Sequence, residues 1–274
     1  MFKIYKYKIF TAIAKELYQY LRHDFKHFFK FNLNNTDKTV LKNLATIGVS
    51  EGRNFYNDVE CKNLCRRIDE IIDGNQANIW RDSIGSDERI YFAEEIDPIF
   101  NRILESSYVR DMYRLYMGNE NPIGMVLAAR LTAKDQNLGS GGGWHRDSPY
   151  RNQFKAFCYL SKVKPENGPF QFVPSSHRKL LILKALIYGL FKPNVYRFND
   201  EQIKNFQDVF NAKRVCVTSD NPGTLFFADT KILHRGSPIQ DGARYALFVY
   251  LWDREIPVAF DRHRQISKGS HCER

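Results

Sequence analysis

The sequence predicts a mainly β chain with helices packed on its outside, and two patterns support that class. The first of the ten prolines is Pro98. Proline fixes φ and removes an N–H donor, so the stretch before it reads as helical and the remainder as turn-rich β structure with helical insertions. In addition, apolar residues recur at helical spacing in Val59 to Ile72, whereas Met125 to Ala133 alternates with period two.

In chain order, Phe10, Ile13, Ala14, Leu17, Leu21 and Phe28 follow helical spacing. Lys3, Lys6, Lys8, Lys15, Arg22, Lys26 and Lys30 oppose only Glu16 and Asp24, an excess of 7 − 2 = +5. A basic, aromatic helix over residues 1–31 either lies in a membrane interface or packs on the β core or a neighbouring subunit. Asn32 to Asp37 is a polar break, and 41–50 reads as a helix turn and a short strand. Val59 to Ile72 and Asp97 to Tyr116 are amphipathic helices bracing a sheet. Met125 to Ala133 is a strand with Val126, Ala128, Arg130 and Thr132 on one face. Gln136 to Gly143 reads as a flexible glycine-rich lip. It lacks the Lys-Ser/Thr ending of a phosphate loop, which excludes nucleotide binding there. Trp144 and Tyr150 line an entrance or belong to the core.

Phe154 to Leu160 is a strand. Arg178 to Lys192 is strongly apolar, fenced by bases and too short to span a bilayer, so it is either a lid helix or a second interfacial contact. Asp200 to Phe210 is a helix capped by Asn199 or Asp200. Strands resume at Val215 and end near Trp252. Arg262, His263, Arg264, Lys268, His271 and Arg274 make the end basic and disordered. The organisation expected is an N-terminal helix (1–40), one domain (41–262) with a helical insertion (178–214), and a basic tail (263–274).

A hydrophobic share of 43% with 26% charged residues fits a soluble globular chain. A formal charge of +10 implies an anionic partner. Five cysteines at irregular spacing argue for a reducing, cytoplasmic compartment. Cys61 and Cys65 have no second pair to complete a zinc site and are read as helix residues. The early lysines interrupt any signal-peptide core, and no apolar stretch is long enough to cross a membrane.

The chemistry concentrates around Gly141-Gly142-Gly143-Trp144-His145-Arg146-Asp147. On an extended backbone His145 and Asp147 share one face and can supply two ligands to one metal. Among seven histidines, His234 stands out, because it follows the strand-like Thr224 to Asp229 and precedes the turn Arg235-Gly236-Ser237-Pro238. Two histidines and one carboxylate with open positions form the facial triad of non-haem Fe(II) oxygenases. Arg244, on the next strand, returns toward the metal by a hairpin and can clamp a carboxylate with its planar fork. His177 is assigned to structure, hydrogen-bonding the turn that it ends.

Five ordered segments carry a family resemblance: the His-x-Asp, His and Arg set; Glu166-Asn167-Gly168-Pro169-Phe170; Val173-Pro174-Ser175-Ser176-His177; Asn221-Pro222-Gly223-Thr224-Leu225-Phe226-Phe227; and Leu41 to Gly48 with Asn54-Phe55. Over roughly 41–252 the chain resembles the phytanoyl-CoA dioxygenase family of Fe(II)- and 2-oxoglutarate-dependent oxygenases. The resemblance implies a double-stranded β-helix, a jelly-roll of two sheets. It implies Fe(II) on His145, Asp147 and His234, with 2-oxoglutarate as cosubstrate on Arg244 and O2 as oxidant. Lys134 falls where some relatives contact 2-oxoglutarate, and Phe157 stands where the family has a tryptophan beside it. Halogenating relatives lack the carboxylate, so Asp147 favours hydroxylation. The expected substrate is a membrane-associated or phosphorylated amphiphile, such as a lipid-linked sugar or an acyl group, or else a soluble small molecule or acyl-CoA. Nucleic-acid demethylases carry a second arginine where Tyr250 stands, so a nucleic-acid partner is disfavoured.

Overall fold

In a computed structural model the structure describes residues 10, 11, 14, 35–147 and 153–264. Phe10, Thr11 and Ala14 are helical. Otherwise the basic N-terminal helix, Tyr150 and residues 265–274 lie outside the described residues.

Ten strands form two antiparallel sheets. The larger orders β1 (Val49–Asn54), β8 (Thr224–Asp229), β5 (Gln153–Tyr159), β10 (Ala243–Trp252), β4 (Ile123–Thr132), β3 (Asp87–Tyr91) and β2 (Ile79–Arg81). The smaller orders β7 (Val215–Val217), β6 (Phe170–Phe172) and β9 (His234–Gly236). Among the described residues from 35 onward, seven α-helices flank them: α1 (Asn35–Thr46), α2 (Asp58–Asp73), α3 (Asn101–Glu105), α4 (Ser107–Met117), α5 (Lys179–Ile187), α6 (Asp200–Phe210) and α7 (Val258–Asp261).

Alternation on β4 explains the layering. Val126 and Ala128 join the core against the helices, while Met125, Leu127 and Ala129 face the core beneath the second sheet. The helix α2 starts at a reciprocal capping box between Asn57 and Glu60, which satisfies two otherwise orphan backbone donors. It buries Leu64, Ile68, Ile71 and Ile72, each stabilising the fold by about 1.5–3 kcal/mol. Arg130 on β4 reaches Asp69 and Asp73 of α2 at 2.8 and 2.7 Å and Glu88 of β3 at 2.8 Å. Cys61 and Cys65 sit in or against this core, where burial raises both thiols, Cys61 to about 11 and Cys65 to about 12.

Several expectations need correction. The helix expected over 97–116 is broken at Ser106, whose backbone leaves the helical region and whose hydroxyl caps α4. The first third is not wholly helical, because the β2–β3 hairpin lies there. The helix α5 does not cover the cavity described below. It packs with Trp144, Phe198, Phe206 and Leu233 in a separate cluster, so the insertion braces the segment carrying the metal ligands. His263 and Arg264, which read as disordered, are packed on Tyr91 and Phe92. Among the described residues no helix is long and apolar enough to cross a membrane.

Candidate metal centre

The extended segment from His145 to Asp147 runs beside the turn that leads into β9. His145 and His234 exchange backbone hydrogen bonds of 2.8 and 2.9 Å, and the Asp147 amide donates to Thr230 O at 2.9 Å. The two-residue spacing therefore projects both side chains to one face, as expected from the sequence. The chain before it must pass close to the ligand. Gly141 has φ +89°, and a Cβ there would lie 2.5 Å from His145 Cε1, a position only glycine fills without strain.

Both imidazoles are oriented from behind. His145 Nδ1 bonds Gly143 O at 2.8 Å and His234 Nδ1 bonds Ile232 O at 2.9 Å. A carbonyl only accepts, so each Nδ1 carries the proton and each Nε2 presents its lone pair to the centre. His145 Nε2 lies 3.3 Å from Asp147 Oδ1, and His234 Nε2 lies 3.6 Å from Asp147 Oδ2. Ligand atoms of the three residues all lie within 4.8 Å of one another. His234 stacks on Phe170 at 5.1 Å, and its buried Nε2 has no hydrogen-bond partner. A buried, unpartnered lone pair facing a carboxylate and a second imidazole fits a ferrous ion.

The electrostatics agree. Burial, then the neighbouring His145, lowers His234 to about 4, so its imidazole is neutral. For Asp147, burial opposes the charged form, but the neighbouring Lys155 ammonium holds it well below the usual carboxylate range. Both groups are thus in the deprotonated state that metal binding requires.

Lys155 was not singled out by the sequence reading. It sits on β5 with its Nζ 3.5 Å from Asp147 Oδ2 and 4.8 Å from the Tyr250 ring centroid. Its signal was a lone cation inside the otherwise apolar Phe154 to Leu160 strand, since buried lysines are rare unless paired.

Arg244 lines the same cavity, although no hairpin carries it there, because β9 lies in the smaller sheet and β10 in the larger. Strand β10 pairs with both β4 and β5, carrying the side chain into the cavity wall, 3% exposed. Its Nη1 donates to Gly168 O, its Nε has no partner, and burial lowers its pKa. A buried guanidinium with unused donors suits a carboxylate guest.

The other cofactor assignments do not meet the cavity. Lys134 is exposed and donates to Ile84 O at 3.1 Å; it is absent from the cavity wall. Phe157 is fully buried one layer behind, packed on Phe170 and Phe248, which do line the cavity. Trp144 is core, its Nε1 donating to Asp200 at 3.0 Å. His177 is structural, its Nε2 on Ala45 O at 3.2 Å.

The centre opens into a cavity of about 620 Å³, within the range of small-molecule sites. The β2–β3 hairpin, the Gly139 to Gly142 turn, Arg197 and residues 259–263 form its outer wall.

A family model described as phytanoyl-CoA dioxygenase (PhyH) matches residues 48–242. Among curated proteins none matches the chain. Among solved structures, the chain resembles EctD from S. alaskensis with 2-oxoglutarate and 5-hydroxyectoine, at 15% identity and TM-score 0.65, covering 82% of this chain and 80% of that one. It also resembles the epimerase SnoN in complex with Fe3+, alpha ketoglutarate and nogalamycin RO, at 14% identity and TM-score 0.62, covering 85% and 91%. A third is the non-haem alpha ketoglutarate dependent carbocyclase SnoK from nogalamycin biosynthesis, at 16% identity and TM-score 0.59, covering 81% and 85%. The double-stranded β-helix expected from the sequence is the fold they share.

Proposed function

The chain belongs to the phytanoyl-CoA dioxygenase family of non-haem Fe(II)- and 2-oxoglutarate-dependent enzymes, and from that premise we propose that it hydroxylates an unactivated C–H bond of an anionic substrate, membrane-associated or phosphorylated, such as a lipid-linked sugar or an acyl group. The observation that carries this reading is the charge of the cavity wall. Arg81, Arg89, Lys155, Arg197, Arg244 and Arg262 line it, against Asp82, Asp87 and Asp147. Asp87 is taken by Arg89 at 2.6 Å, and Asp147 belongs to the metal. A cleft with one dominant sign concentrates ligands of the other.

In this reading His145, Asp147 and His234 hold the iron, which when bound activates dioxygen at the expense of 2-oxoglutarate. Arg244 pairs with the far carboxylate of the cosubstrate, and its rigid fork fixes the angle of approach. Lys155 keeps Asp147 ionised and ready to ligate. The carbonyls of Gly143 and Ile232 hold the imidazoles in the ligating tautomer. The aromatic floor of Phe170, Phe248 and Tyr250 excludes water around the reacting carbon. Membrane association is supported by Leu180, Ile187 and Tyr188 of α5 and its end, which are exposed beside Lys184 and Lys192, a composition that suits an interface.

The test is succinate formation with Fe(II) and 2-oxoglutarate, offering acyl-CoAs and lipid-linked sugar phosphates beside their uncharged counterparts. Anionic members should raise the rate above the substrate-free background and gain one oxygen by mass spectrometry. Equal stimulation by the uncharged counterparts would remove the anionic reading. Flotation with anionic liposomes tests the membrane part, and loss of recovery on deleting residues 1–31 is the expected result. A second reading, a soluble small molecule, is favoured by the structural relatives crystallised with 5-hydroxyectoine and nogalamycin RO.

A further inference from the structure

The segment after β10 lies beyond the residues matched by the family model, yet it closes one side of the cavity. Phe260 packs on Tyr91, Tyr250 and Trp252 at 6.1, 5.3 and 5.3 Å between ring centroids. The His263 ring stacks on Tyr91 at 4.6 Å with planes 19° apart. Arg264 pairs with Glu95 and places its guanidinium 4.2 Å from the Phe92 ring centroid. These contacts fix the backbone on either side of Arg262, which lines the cavity and is exposed to it.

The cations of the wall differ in what they already hold. Arg89 is paired with Asp87 at 2.6 Å and Arg81 with Glu88 at 3.0 Å. Lys155 faces Asp147, and Arg197 donates to Gly141 O at 2.7 Å. Arg244 donates to Gly168 O. Arg262 has no carboxylate partner among the described residues. Its Nε donates to His263 Nε2 at 3.1 Å, which makes that imidazole a neutral acceptor. Burial, then Arg262 and Arg89, holds His263 below its ordinary range, so the charge at this corner is that of the Arg262 guanidinium. A guanidinium with free donors at the mouth, bordered by an aromatic floor, matches a phosphoryl group attached to an apolar or ring-bearing body.

We propose that residues 259–263 are the substrate-recognition wall of this enzyme, with Arg262 taking a phosphoryl group of the substrate and Phe260 and the Tyr91–His263 stack bordering the part attached to it. This rests on the anionic-substrate reading above and adds the residue that reads the anion. It also separates two tasks in the cavity: Arg244 holds the cosubstrate at the floor, and Arg262 holds the substrate at the rim.

The experiment is calorimetric titration of the metal-free full chain with inorganic pyrophosphate. Wild type should bind it. Arg262→Gln should weaken binding about tenfold or more, the scale of a lost charge-assisted contact, and Arg262→Lys should recover part of it. Lys134→Gln, at a surface cation outside the cavity, should leave it unchanged. Excess 2-oxoglutarate should not displace the probe. Absence of binding in wild type, indifference to Arg262→Gln, equal loss in Lys134→Gln, or displacement by 2-oxoglutarate would each overturn the proposal. The enzyme reading fails separately: a wild type that binds pyrophosphate through Arg262 but forms no succinate keeps the recognition wall and loses the oxygenase assignment.

Discussion

The floor and the rim of the cavity are built on different principles. At the floor, His145, Asp147 and His234 are fixed by backbone pairing between two short segments, and each imidazole is held by a carbonyl two residues before it. Those two segments are distant in sequence and lock one another through the main chain. At the rim, Arg89, Arg197 and Arg262 come from a hairpin, an insertion and the residues after the last strand. Side-chain contacts hold them: Arg89 on Asp87 and Ser140, Arg197 on Gly141 O, and Arg262 on His263. The chemistry sits where main chain holds main chain, and recognition sits on long side chains.

The sharpest way to break this contrast is at the floor. Asp147→Ala should reduce Fe(II)-dependent succinate formation by more than about 100-fold, beyond the 10–100-fold that loss of an outer-shell partner costs, with the far-ultraviolet circular dichroism spectrum unchanged. Turnover within tenfold of wild type would show that the carboxylate is not a ligand. Next in size, Arg244→Ala should raise the KM for 2-oxoglutarate by about 10–100-fold, the scale of a charge-assisted pair. Arg244→Lys should recover less than half of that on a logarithmic scale, because the ammonium lacks the fork. An unchanged KM would move the cosubstrate elsewhere in the cavity.

Protonation gives an intermediate effect. The imidazole of His234 is lowered from 6.5 to about 4. A group with a depressed folded pKa binds fewer protons than the unfolded chain between the two values, so stability falls as acid is added. Asp147 and His177 are also lowered and act in the same direction. Burial raises the Glu94 carboxyl to about 7 and so acts in the opposite sense over the same window, and the His234 part is read as a difference. As pH falls from about 6.5 toward 4, the metal-free wild type should lose more Tm, or gain less, than His234→Gln, followed by calorimetry; parallel Tm profiles would contradict the burial argument. The smallest effect belongs to Lys134→Ala, which should leave the KM for 2-oxoglutarate within about twofold, as expected of a surface change away from special features.

The same contrast explains what could be read before any coordinates existed. Metal coordination needs few residue types at fixed spacing, so His145, Asp147 and His234 were visible as letters, whereas the hairpin expected to bring Arg244 to them is replaced by a crossing between the two sheets. The strands β4, β5, β8 and β10 were legible as short apolar runs between turn residues, because both of their faces are covered along most of their length. The β2–β3 hairpin was missed because Asp87, Glu88 and Arg89 give its second strand no apolar alternation; their charges are paired with one another and with Arg130 and Arg81. The break at Ser106 was hidden by apolar spacing that continues on both sides of a capping serine. Lys134 and Phe157 were placed by resemblance. The fold turns the first outward onto a carbonyl and sets the second behind Phe170 and Phe248, contacts that depend on register between distant strands. Arg262 fell in a stretch whose composition alone suggested disorder, although an aromatic platform awaited it.

The central claim is that three side chains from two separated segments hold one ferrous ion. Equilibrium dialysis with Fe(II) under exclusion of oxygen tests it directly. One ion per chain in the wild type, and none retained by Asp147→Ala or His234→Ala at the same concentration, is the predicted result; full occupancy in both variants would place the metal elsewhere and contradict the account.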